Sequence, residues 1–202
     1  MDLSKDMTLS ARKQLSQGVI VLAFLCAGCS SVHNDNVDKN DSRVNVEDSQ
    51  KDEKLVRSDI QKLIASEEKA KGIPKGILNS IAAVESQHNV YAVNARKKSH
   101  KFKTKAEAIS FIKRAAKSGE KNISVGCLQL HYGTHKKNFA SVEDMLSPKS
   151  NVAYAAMLLR SLYDKYGSWE RAIKKYHNSK EQYSNLYYRK VMRAYGTSQK
   201  LS

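Results

Sequence analysis

Leu78, Ile81, Ala82 and Glu85 fall at i, i+3, i+4 and i+7, so a helix through them sets a carboxyl group in line with an apolar stripe that faces a core. Partial burial there disfavours the charged form, and the negative dipole end of the helix works in the same direction. A carboxyl group so placed keeps a proton for a leaving group, which is general-acid chemistry. Spacing alone fits equally a solvated glutamate at the rim of the stripe. Other chemistry is poorly supported. Cys127 is a single thiol with no paired base, the pattern of a small buried hydrophobe rather than a nucleophile. His88, His100, His131, His135 and His177 raise the question of zinc, yet the one pair four apart, His131 and His135 in HYGTH, lacks the Glu of HExxH, and the other two cysteines, Cys26 and Cys29, lie in and directly after the N-terminal apolar run. Neither a metal nor a cofactor is assigned.

The elements that must position Glu85 are helical. Val56, Ile60, Leu63 and Ile64 predict a first helix closed by Gly72 and Pro74. A second begins near Pro74 and runs through GILNSIAAVES towards His88 and Asn89. Thr104 and Glu107 have the spacing of a capping box, with Ala108, Ile109, Phe111, Ile112 and Ala115 on the apolar face behind them, and Ser118 and Gly119 end that helix. VAYAAMLLRSLYDKY at 152–166, WERAIKKYH and NLYYRKVMRAY predict three more. No alternating strand of useful length and no repeat is visible, so the expected class is mainly α.

The formal charge of +15 is unevenly held. Residues 1–54 carry 7 Lys or Arg against 9 Asp or Glu, whereas residues 55–202 carry 28 against 11, a surplus of +17. Such a domain associates with polyanions: nucleic acid, an acidic membrane surface or a wall bearing peptide carboxylates. RKKSHKFKTK at 96–105 has the look of a nucleic-acid patch. The N-terminus argues otherwise. Lys5, Arg12 and Lys13 precede the 11-residue apolar run GVIVLAFLCAG, which ends in small residues before Cys29. That order is a signal peptide's, and the run is well short of the ~20 residues of a membrane-spanning helix. The segment resembles a bacterial lipoprotein signal, with Cys26 where those signals usually have Leu. That resemblance implies cleavage before Cys29, lipidation of Cys29 and, with Ser30 following, the outer membrane. Residues 30–52 are polar and Val-only in aliphatics, a disordered tether. The expected organisation is thus a signal peptide at 1–28, a lipid attachment site and tether at 29–54, and one domain at 55–202. An exported, periplasmic location follows, with no nucleic acid as partner. A lone Cys127 leaves no disulfide, so a core must stabilise the domain.

IPKGILNSIAAVESQHNVYAVN, then SVGCLQL, then the block from Asn151 through YGSWERAIKKYHNS to YYRKV resembles the soluble-lytic-transglycosylase domain in order and separation over nearly all of residues 73–194. Glu85 and Ser86 match the family's Glu-Ser pair, Gly126 and Gln129 its Gly-x-x-Gln segment, Tyr176 the Tyr of its Tyr-Asn motif, and Tyr187 the Tyr four before a Val, here Val191. FKTKAEAI resembles an insertion found in one branch. Three positions depart: His177 replaces Asn, Leu128 replaces the usual Met before the Gln, and His131 stands where Asn is frequent.

The resemblance implies an α+β lysozyme-like fold whose groove binds peptidoglycan glycan strands. Glu85 is its catalytic acid, and Ser86, Gln129, Tyr176 and Tyr187 its substrate-binding residues. Ser86 either orients Glu85 by a hydrogen bond or caps the helix end. Gln129 donates to a sugar or acetamido group, or is a surface amide. The two tyrosines offer a ring for packing and a hydroxyl for acid or substrate. No second carboxylate is matched, which implies substrate-assisted cleavage to a 1,6-anhydro end rather than the carboxylate pair of ordinary glycosidases. Wall turnover and a secretion or wall-remodelling assembly both fit as context. Two rivals remain: a hydrolytic muramidase, and a wall-binding lipoprotein that has lost catalysis through His131 and His177.

Overall fold

The computed structural model describes residues 57–177 and 181–200, all within one compact unit of the chain. The expected signal peptide, Cys29, the tether and Val56 lie outside the described residues. Helix α1 (57–70) is followed by α2 (Ile77–Ser86), a hairpin of β1 (Ala92–Ala95) and β2 (Lys98–Lys101), α3 (Lys105–Lys117), and the short strands β3 (Ile123–Val125) and β4 (Leu130–His131). Two short helices, α4 (Tyr132–His135) and α5 (Val142–Met145), precede α6 (Pro148–Tyr166), α7 (Trp169–His177) and α8 (Glu181–Lys200).

The helical expectations hold, with shifted ends. The Thr104 hydroxyl accepts from Glu107 N and the Glu107 carboxylate accepts from Thr104 N, the reciprocal capping box read from spacing. Pro74 lies before α2 rather than in it, and α6 starts at Pro148, a residue suited to a first turn because it has no N–H to leave unpaired. The mainly helical class holds, and the sheet of the implied α+β fold is present although no strand is visible in the sequence pattern. A four-stranded antiparallel sheet runs in the order β2-β1-β3-β4. Its strands are two to four residues long, too short to display a period of two. β1 is also buried at three of its four positions, so polar and apolar residues do not alternate. The basic stretch at 96–105 supplies the turn and second strand of the β1-β2 hairpin and leads into α3. Its turn is made by Arg96 and Lys97, both at positive φ. The rings of His100 and Phe102 pack at a tilt against Phe111 of α3, with centroids 4.5 and 5.2 Å away.

The core is built around α2. Leu78, Ile81 and Ala82 are fully buried with Ile64, Leu128, Met145, Leu146, Val152, Leu159, Ile173 and Val191, so the apolar stripe seen in sequence is the buried face. The start of α2 is held by a residue from α1. Gly76 offers no side-chain cap, and the buried carboxylate of Glu68 instead accepts from Gly76 N at 2.8 Å and Asn79 N at 3.0 Å. Its negative charge lies at the positive end of the helix dipole. Burial pushes its carboxyl above the ordinary range, against those backbone bonds.

The end of α2 turns sharply. Gln87 and His88 are both left-handed, and their N–H groups donate back to Ala83 O and Ala82 O, a paired C-terminal cap. His88 is buried with Nε2 2.9 Å from Asn79 Oδ1. Burial first, and the charge of Arg57 second, hold its imidazole below the ordinary range. When the folded pKa is depressed, the unfolded chain binds the extra proton, so stability is lost as pH falls below about 6.5. We expect the Tm to drop between about pH 7 and about pH 5 and to drop less in His88→Asn, since Asn tolerates the left-handed backbone. An equal drop in both proteins would exclude His88 as a source.

Candidate active site

Glu85 stands in the last turn of α2 with its side chain 14% exposed. Two residues more than ninety positions away close on its carboxyl. Tyr187 of α8 donates its hydroxyl to Glu85 Oε1 at 2.7 Å, and His177, the last residue of α7, places Nδ1 3.8 Å from the same oxygen. The rings of His177 and Tyr187 lie parallel, 4.2 Å apart and 5° from coplanar. Tyr187 is buried while the His177 side chain is 42% exposed, so the imidazole covers the phenol from the solvent side. Burial, and then the charge of Glu85, push the Tyr187 phenol well above its ordinary pKa. The phenol keeps its proton and acts only as a donor.

The other expected binding residues gather on the turn between β3 and β4. Ser86, expected either to orient Glu85 or to cap the helix end, sends its hydroxyl to Cys127 O at 2.8 Å, with a longer bond of 3.5 Å to Ala82 O. It ties the end of α2 to that turn, and the bond to Glu85 is not made. Tyr176 donates to Leu128 O at 2.8 Å. Burial, and then Glu85, hold its phenol protonated far above the ordinary range. Gln129, at φ 48, spends its amide nitrogen on Gly126 O and Ala92 O at 2.9 and 3.2 Å. Its side-chain nitrogen is therefore a scaffold donor, and the carbonyl oxygen of the amide is the end left for a ligand. Of the four residues, only Tyr187 touches the acid.

A residue that sequence reasoning gave no role holds the turn from below. Asn151, in the first turn of α6, is 1% exposed. Its Nδ2 donates to Val125 O and Met145 O at 3.0 and 3.1 Å, and its Oδ1 accepts from Leu128 N at 3.1 Å. Gly126 sits against it at φ +81, where a Cβ would lie 2.4 Å from Asn151 Nδ2. The glycine is thus required twice, by backbone conformation and by space. A signal was present in the sequence: an amide beside an otherwise apolar run is costly unless fully bonded. Cys127 is buried beside this amide, and burial pushes its thiol up to about 12. His131, standing where the family often has Asn, caps α4 by accepting from Thr134 N at 3.2 Å, a task Asn also performs.

Chemically, the arrangement is one partly buried carboxyl group with a phenol and an imidazole on one oxygen. Neither neighbour is a carboxylate, and among the described residues no cluster of three or more potential metal ligands occurs. A single group that gives and then retakes a proton is the chemistry such a site supports.

The family model of the transglycosylase SLT domain matches residues 62–191. No curated protein and no solved structure matches the chain. The matched span covers well over half of the sequence and takes in Glu85, Gly126, Gln129, Asn151, Tyr176, His177 and Tyr187, so the chain belongs to the transglycosylase SLT domain family, whose substrate is peptidoglycan.

Proposed function

We propose that the domain is a lytic transglycosylase that cleaves the β-1,4 bond between N-acetylmuramic acid and N-acetylglucosamine without water. The observation that carries this reading is the carboxyl group of Glu85, held by the protonated Tyr187 phenol, with no carboxylate hydrogen-bonded to it among the described residues. Glu85 donates its proton to the glycosidic oxygen, and the bond from that oxygen to the muramic acid's C1 breaks. The substrate's own acetamido group supports the positive charge at C1. Glu85, now a carboxylate, takes the proton from the 6-hydroxyl as O6 closes on C1. Carboxylate-pair glycosidases work with a second acid across the scissile bond, and the family motif matches no such partner for Glu85, which favours the anhydro product over the hydrolytic one. The test is mass spectrometry of fragments released from purified peptidoglycan. Anhydro ends are expected, and ends heavier by one water would make the enzyme a hydrolase instead.

The reading extends to location. We propose that the chain is exported, cut before Cys29 and lipid-anchored at the outer membrane, where a domain with a surplus of +17 meets anionic wall. Labelling with a lipid precursor should mark the wild type and spare Cys29→Ala; equal label in both would end the proposal.

A further inference from the structure

The family pattern usually carries Asn where this chain has His177, and the imidazole there faces the acid rather than solvent alone. Three facts converge on Glu85 Oε1. It accepts the Tyr187 hydroxyl at 2.7 Å, it lies 3.8 Å from His177 Nδ1, and the two donors are locked to each other as a parallel stack at 4.2 Å. A separation of 3.8 Å is longer than a hydrogen bond and within ion-pair range for a ring that carries a proton. A side-chain shift of under about 1 Å brings Nδ1 into hydrogen-bond range. His177 is also the last residue of α7, at the negative end of that helix's dipole. Among the described residues nothing competes for Glu85 Oε2 by a hydrogen bond.

We propose that His177 is a positioning and charge-stabilising residue for the acid: with Tyr187 it forms a pair of donors on Oε1, so that the transferable proton resides on Oε2. The proposal rests on the lytic reading and adds a residue to it. In the first half-reaction the Oε2–H bond breaks, the proton passes to the glycosidic oxygen, and the electrons of the breaking C1–O bond stay with that oxygen. Glu85 thereby acquires a full negative charge. Donors already aimed at Oε1 stabilise that charge as it develops, which is where preorganised dipoles accelerate a reaction most. In the second half the 6-hydroxyl proton returns to Oε2 while O6 bonds to C1, and no other reactant is consumed.

Two substitutions separate the imidazole's nitrogen from its ring. His177→Phe keeps a flat ring on Tyr187 and removes the donor. His177→Asn loses the stack and keeps an N–H. On soluble glycan oligomers, His177→Phe is expected to lose kcat by about tenfold or more at unchanged KM, while His177→Asn retains most of the wild-type kcat. A defect confined to stacking would show the reverse order and would overturn the proposal. Carbon-13 NMR of the Glu85 carboxyl needs no turnover: its titration midpoint should move to higher pH in His177→Phe than in wild type. An unchanged midpoint refutes the contact between His177 and Glu85. If wild type itself releases no fragments, the lytic reading fails, and the carboxyl titration still decides the role of His177.

Discussion

Glu85→Gln is expected to abolish release of anhydro-ended fragments while leaving the fold and wall binding nearly intact. The amide has the shape of the carboxyl group, and its oxygen still accepts the Tyr187 hydroxyl that Glu85 Oε1 accepts at 2.7 Å. It relieves a carboxyl group held 14% exposed at the negative end of α2, so stability should hold or rise. It can neither give the first proton nor take the second. Losing general acid and base together should cost at least the ~100- to 10,000-fold typical of one such group. Circular dichroism, a pelleting assay with purified peptidoglycan and product mass on one preparation make the comparison. Near-wild-type release by a folded Glu85→Gln protein would remove Glu85 from the chemistry.

Gly126→Ala should be the most damaging small substitution in the domain. An L residue at φ +81 is strained by roughly 1–2 kcal/mol. The new methyl also falls 2.4 Å from Asn151 Nδ2 and 2.7 Å from its Cγ, so the amide must move. Asn151 cannot move without losing bonds to Val125 O, Met145 O and Leu128 N, each about 1 kcal/mol and more when the partner is left buried and unpaired. A total near 3–5 kcal/mol follows, which lowers the Tm by roughly 10 °C or more in a domain of this size. The two sites are coupled. In an Asn151→Ala background the clash is gone, and Gly126→Ala should then cost only the backbone strain. Additive losses in the thermal unfolding of the four proteins would show that the amide and the glycine do not act on each other.

What could be read from sequence was local. The stripe of Leu78, Ile81 and Ala82, which put Glu85 on the edge of a core, is fully buried as its period requires. The Thr104–Glu107 box forms because a cap needs only residues three apart. Family resemblance added Tyr187 and the Gly126–Gln129 turn. Three things lay beyond local pattern. The sheet escaped because strands of two to four residues carry no readable period, and their pairing is a matter of register between distant segments. Ser86 could orient its neighbour Glu85 or cap the helix end, yet its hydroxyl goes to Cys127 O, 41 residues away, because the packed turn offers a better-placed acceptor. Asn151, the residue before the helix predicted over 152–166, proved to be the clamp of the turn.

Sequence by itself determined that this chain has a helix carrying an acid at the edge of its apolar face, since a period of 3.6 residues is written in the order of side chains. It determined as well that a strongly basic stretch follows an apolar N-terminal run. Only tertiary structure decided which groups tune the acid. Tyr187 lies 102 residues from Glu85 in sequence, and its hydroxyl reaches Oε1 only because α2 and α8 pack face to face, with Leu78, Ile81 and Val191 buried in the same core. His177 reaches the same oxygen only because α7 ends beside Tyr187. A hydrogen bond is satisfied within about 3 Å, and nothing in the spacing of residues along a chain fixes a distance of that size between helices that meet through side-chain packing.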